Sequence, residues 1–133
     1  MVLDGAHNPA AFEALAQGLV ASSGCIQAPV HLVLGVLGDK DVPQMMEPFA
    51  DLLRSVVLTP IDALRAADPR DVVGKIPPGL CSSVSVAENP VEALRVAEQR
   101  AAHDGGSVVI CGSLYLVGAI RGELAANFRP VLP

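Results

Sequence analysis

The residues of this chain that could do chemistry stand in four short segments, each placed just after an apolar run. Asp4-Gly5-Ala6-His7 follows Val2-Leu3, and Gly35-Val36-Leu37-Gly38-Asp39-Lys40-Asp41 closes the run that begins at Val30. Thr59 to Arg65 follows the run from Ser55, and Gly112-Ser113 follows Ser107 to Cys111. A lysine is a point charge, and a serine beside a helix N-terminus is a donor where anions are favoured. Lys40 and Ser113 are therefore suited to an anionic group. Every one of these residues also has a plainer use. Asp4 can bond loop amides, and His7 can be a core or turn histidine. Asn8, Asp41 and Ser113 can simply cap helices. Asp39 can do the same, Lys40 can be solvated, and Arg65 can sit in a surface ion pair worth little.

Other chemistries lack their signatures. Gly74-Lys75-Ile76 is a near miss for a P-loop, without the upstream glycine or the Ser/Thr that would hold magnesium. No GxGxxG follows a strand, and no nucleophile elbow occurs. Cys25, Cys81 and Cys111 are odd in number and show no CxxC spacing, which predicts reduced thiols and no metal site. If the chain serves an enzyme, the phosphate-handling machinery lies outside it.

The elements that must position these segments are legible in the pattern. Val2-Leu3, Val30–Leu37, Ser55–Thr59, Ser83–Val86 and Ser107–Cys111 are short, β-branched and nearly continuous, as strands buried on both faces are. Between them lie helical spacings. Phe12, Leu15, Ala16, Leu19 and Val20 share one face. Val42, Met45, Met46, Phe49, Leu52 and Leu53 form a second, and Leu114, Val117, Ile120 and Leu124 a third. Asn8-Pro9, Asp68-Pro69 and Asn89-Pro90 each set a cap residue before a proline at the first helical position. Asn89 with Glu92, and Asp41 with Gln44, have capping-box spacing. The alternation predicts an α/β fold: a three-layer, Rossmann-like domain with a mostly parallel sheet and helices on both faces. In such a sheet all strand-to-helix loops emerge at one edge, where ligands bind. The tail from Asn127 to Pro133 is expected to be irregular or a short added edge.

Composition agrees with one domain of 133 residues. Aromatic residues make up 3% and tryptophan is absent, so Val, Leu, Ile and Ala must build the core. A net charge of −5 with dispersed basic residues argues against nucleic acid. No run is long enough to span a bilayer, and the first residues lack a signal-peptide pattern, so a cytoplasmic location is expected.

The segment Leu3-Asp4-Gly5-Ala6-His7-Asn8-Pro9, followed by an amphipathic helix, resembles the start of the C-terminal domain of the Mur ligase superfamily. Gly5 stands where cell-wall Mur ligases usually carry a tyrosine, which makes the chain similar to the folylpolyglutamate synthase/dihydrofolate synthase branch. "GVLGDKD" at Gly35–Asp41, "LRAA" at Leu64–Ala67 and "VVICGSLYLVGAIR" at Val108–Arg121 resemble that branch's further motifs, in order. The resemblance implies a C-terminal glutamate-ligase domain over residues 1–133, with the N-terminal ATPase domain and its P-loop absent from this chain. The isolated fragment is expected to be inactive, and Met1 to be a fragment start at an interdomain boundary. The implied reaction is ATP-dependent amide ligation, joining L-glutamate to a folate or dihydropteroate carboxylate through an acyl phosphate. The resemblance implies His7, Lys40, Ser113 and Arg65 as glutamate contacts and Asp4 as an ATP contact, with ATP and Mg2+ held mainly by the missing domain. It assigns no role to Asp39 or Tyr115. The alternative is a free-standing α/β small-molecule binding or protein-interaction domain without ligase activity.

Overall fold

A computed structural model describes residues 1–22, 24 and 26–127. Cys25 and the segment after Asn127 lie outside the described residues, so the expectation of an irregular tail or an added edge falls there. Among the described residues, five strands form one sheet: β1 (Val2–Leu3), β2 (Val30–Leu34), β3 (Leu53–Leu58), β4 (Ser83–Val86) and β5 (Ser107–Cys111). The spatial order is β1-β5-β2-β3-β4, and every pair is parallel. Helices α1 (Pro9–Ala21), α2 (Val42–Met46), α3 (Pro69–Val73), α4 (Pro90–Asp104) and α5 (Leu114–Ala126) follow the strands in turn.

The order dictates the layers. The first three crossovers step in one direction across the sheet, and the fourth returns from β4 to β5. Right-handed connections therefore put α1, α2 and α3 on one face and α4 on the other. Side chains obey the two-residue period of a strand. Leu32, Leu34, Val56, Leu58, Val109 and Cys111 pack with Phe12, Leu15, Met45, Met46 and Phe49. Val33, Val57, Val108 and Ile110 turn the other way, against Ala93, Ala97, Leu116 and Ile120. The Phe12 and Phe49 rings meet edge to face at 5.7 Å and 69°, a geometry worth about 0.5–1.5 kcal/mol beyond burial.

Every proline-led helix start is as the sequence predicts. Asn8 accepts from the Ala11 N–H, Asp68 from Arg70 and Asn89 from Glu92. Asp41 accepts from Gln44 at 3.1 Å. Three expected apolar faces need correction. The second is not one helix: α2 ends at Met46, a 3-10 turn covers Glu47–Phe49, and Leu53 already belongs to β3. Pro48 supplies no N–H for a continued α-helical ladder. On α1, Val20 is 61% exposed, bordering a groove against Pro48, Asp51 and Leu52 that no element among the described residues fills. On α5 the buried pair is Leu116 and Ile120, whereas Leu114 and Leu124 are exposed. That helix carries apolar residues all round, so its spacing admits more than one face. Strand β2 stops at Leu34, short of Leu37, because Val36 and Leu37 turn away to pair with the loop after β3.

Candidate functional site

The carboxyl ends of β1, β5, β2 and β3 lie side by side, and their loops touch in that same order. The Asp4 N–H donates to Ile110 at 3.0 Å, and the Gly112 N–H donates to the Ala6 carbonyl at 2.8 Å. These two bonds join the loop after β1 to the end of β5. Gly112 in turn lies against the loop after β2: a Cβ there would stand 2.6 Å from the Gly35 carbonyl oxygen. The loop after β2 is stitched to the loop after β3 by Gly38 N–H to Arg65 carbonyl at 2.8 Å and Ala67 N–H to Val36 carbonyl at 3.0 Å. Leu37 and Ala66 form an antiparallel bridge between them. The helices after β1 and β2 go to one face and the helix after β5 to the other. The crevice therefore falls at the switch in strand order, where ligands bind in open α/β sheets.

This row carries all five residues that the resemblance implied as ligand contacts. Asp4 is half-buried and its Oδ1 accepts the Ala6 N–H at 2.8 Å. Among the described residues its second oxygen has no hydrogen-bond partner. His7 is exposed, and its Nδ1 lies 2.8 Å from the Gly5 carbonyl. Lys40 is half-buried just ahead of α2, and Arg65 is exposed on the loop farthest from Asp4. Neither cation forms an ion pair among the described residues. Ser113 is 4% exposed and caps α5, its Oγ accepting the Leu116 N–H at 3.0 Å. Its hydroxyl proton stays available to a further acceptor. Asn8 and Asp41 serve as caps, the plainer of the uses open to them. Exposed Leu64 precedes Arg65 on its loop, and exposed Leu114 and Tyr115 open α5 directly after Ser113. Among the described residues no group of three or more His, Cys, Asp or Glu side chains is placed to hold a metal ion.

Below the rim, Cys111 is fully enclosed. Burial, and then the nearby Asp4 carboxylate, push its thiol up, so it stays protonated and inert. One polar constellation escaped sequence reasoning. His31, 2% exposed on β2, places Nδ1 2.7 Å from the Ser55 Oγ of β3 and donates through Nε2 to Asp104 at 2.8 Å. It stands at the amino end of the sheet, away from the rim, and Ser55 is itself buried. Its members are ordinary residues far apart in sequence, so no spacing signal marks them.

The fold has known counterparts. The Mur ligase glutamate ligase domain matches residues 1–114, and this chain belongs to that family. Within it, the chain is a C-terminal domain of the folylpolyglutamate synthase type. It is 28% identical to folylpolyglutamate synthase of Lacticaseibacillus casei over 93% of its own length and 27% of that protein. It superposes on Mycobacterium tuberculosis folylpolyglutamate synthase complexed with ADP and AMPPCP with a TM-score of 0.79 and 33% identity, covering 96% of this chain and 30% of that one. The Thermotoga maritima folylpolyglutamate synthase is similar at TM-score 0.76 and 29% identity, over 94% of this chain and 27% of that one. The chain thus spans under a third of the length of each of these relatives.

Proposed function

We propose that this chain is the glutamate-handling part of an ATP-dependent ligase that joins L-glutamate to a folate or dihydropteroate carboxylate through an acyl phosphate. The observation that carries the reading is the row of four adjoining loops, with Lys40, Arg65, Ser113, His7 and Asp4 on one rim. Glutamate brings two carboxylates. Lys40 and Arg65 meet them with charge, and Ser113 adds a donor beside the N-terminus of α5, where an anion is favoured. Asp4 offers its unpaired oxygen to a ribose hydroxyl of ATP. Nucleotide and Mg2+ are held mainly by a partner domain bearing the P-loop. Leu64, Leu114 and Tyr115 dock against that domain, and closure shields the acyl phosphate from water.

The test is steady-state kinetics in a ligase whose C-terminal segment is replaced by this chain, using the remainder of the M. tuberculosis enzyme. Lys40→Ala and Ser113→Ala should each weaken glutamate use by about ten- to a hundredfold, the equivalent of about 1.5–3 kcal/mol for a charge-assisted hydrogen bond. ATP use should change little. Asp4→Ala should weaken ATP use more than glutamate use. Unchanged glutamate dependence in both Lys40→Ala and Ser113→Ala would refute the site.

A further inference from the structure

We infer that His7 is the proton acceptor for the incoming amine; this rests on the ligase reading of the rim. A carbonyl oxygen only accepts, so the 2.8 Å contact between His7 Nδ1 and the Gly5 carbonyl requires Nδ1 to carry a proton. In the neutral ring Nε2 then holds a lone pair, and the tautomer is set by the backbone. The backbone that sets it is itself held in place. Asp4 Oδ1 grips the Ala6 N–H, Ala6 accepts from Gly112, and Asn8 caps α1 immediately afterwards. The imidazole is thereby fixed at its root and exposed at its tip.

The proposed chemistry needs such a group. At neutral pH the glutamate nitrogen is an ammonium and has no lone pair for attack. His7 Nε2 takes one proton from it. The nitrogen then bonds to the acyl carbon, the carbon–oxygen bond to phosphate breaks, and its electron pair departs on inorganic phosphate. The amide nitrogen sheds its remaining excess proton to solvent. Asp4 and Lys40 do not duplicate the role: the free oxygen of Asp4 is given to the ribose hydroxyl, and a lysine ammonium cannot accept a proton.

Two measurements test this. In the 133-residue chain, nitrogen-15 NMR of the neutral His7 ring should report the Nδ1–H form; a dominant Nε2–H form overturns the inference. In the restored ligase, hydroxylamine serves as a second nucleophile, because it is largely unprotonated at neutral pH and needs no base. Asn at position 7 can keep the donor to the Gly5 carbonyl while lacking a proton acceptor at the Nε2 position. His7→Asn should lower the glutamate rate about 10²–10⁴-fold, while hydroxamate formation falls less than about tenfold. Equal losses with both nucleophiles, or an unchanged glutamate rate, overturn the role of His7 and leave the ligase reading intact. If the unsubstituted ligase forms neither glutamyl product nor hydroxamate, the ligase reading fails and this inference with it.

Discussion

At Gly112 the backbone takes φ +113°, a conformation that L side chains rarely adopt, and a Cβ would also press on the Gly35 carbonyl. The residue lets the end of β5 lie against the loop after β2, which is what makes the rim continuous. Gly112→Ala should cost at least about 1–3 kcal/mol from backbone strain alone, read as a lowered urea midpoint. Asn8→Ala removes only the cap of α1 and should cost about 1 kcal/mol, without the strain. Cys111 provides a second check at this scale. Its thiol is fully enclosed and burial favours the protonated form, so thiol reagents should leave it unmodified in the folded protein. Peptide mass mapping should show it labelled only as urea exposes the core. Labelling as fast as a free cysteine under native conditions would contradict the packing of β5.

Among elements, α4 is the long return crossover, and its last residue is tied to the sheet by the His31 network. A carboxylate at a helix C-terminus is unfavourably placed against the dipole, so Asp104 needs partners. Burial alone would raise its carboxyl. The Gly106 N–H, the His31 hydrogen bond and charge, and Arg54 together outweigh that and hold it below the usual carboxylate range. A folded value below the unfolded one means that the contribution is complete above the unfolded carboxylate range. It is lost as pH falls through the folded value. The urea midpoint should therefore drop on acidification below about pH 4, and Asp104→Asn should flatten that drop while lowering the midpoint at pH 7. Equal slopes in the two proteins would mean that the network does not support α4. The strand pairs that carry His31 and Ser55 are central, so loss of the network is expected to loosen α4 before the sheet.

For the molecule as a whole, apolar side chains on both faces of one sheet predict a single cooperative transition. Fluorescence of Tyr115 and far-ultraviolet dichroism of the 133-residue chain should follow the same urea curve. The same molecule leaves Leu64, Leu114 and Tyr115 exposed on its rim. Leu64→Asp should change stability by no more than about 0.5 kcal/mol and yet impair the restored ligase, because that side chain touches little within the domain. On the ligase reading each ligand meets only part of its site here, so calorimetry should find glutamate and ATP binding weaker than about 1 μM, or −8 kcal/mol. Tighter binding would show that the rim is a complete site by itself.

Helix starts, strand positions and the alternation that makes a parallel sheet were legible from residues alone, because they rest on local physics. A cap such as Asn8, Asp41, Asn89 or Ser113 bonds an amide three residues on, and a buried strand such as β2 needs only an apolar run. The gathering of Asp4, Lys40, Arg65 and Ser113 at one edge was also legible, since parallel strands send all their following loops to the same side. The face that α5 buries was not. Leu114 and Leu116 are equally apolar, and only the position of α4 and the sheet selects Leu116. The break of α2 at Pro48, the exposure of Val20 and the turn of Val36-Leu37 toward Ala66-Ala67 likewise depended on neighbours brought in by the fold. The His31 network shows the limit most plainly. Its partners lie 24 and 73 residues away, and hydrogen bonds between such distant side chains exist only once the strands have paired and α4 has crossed back over them.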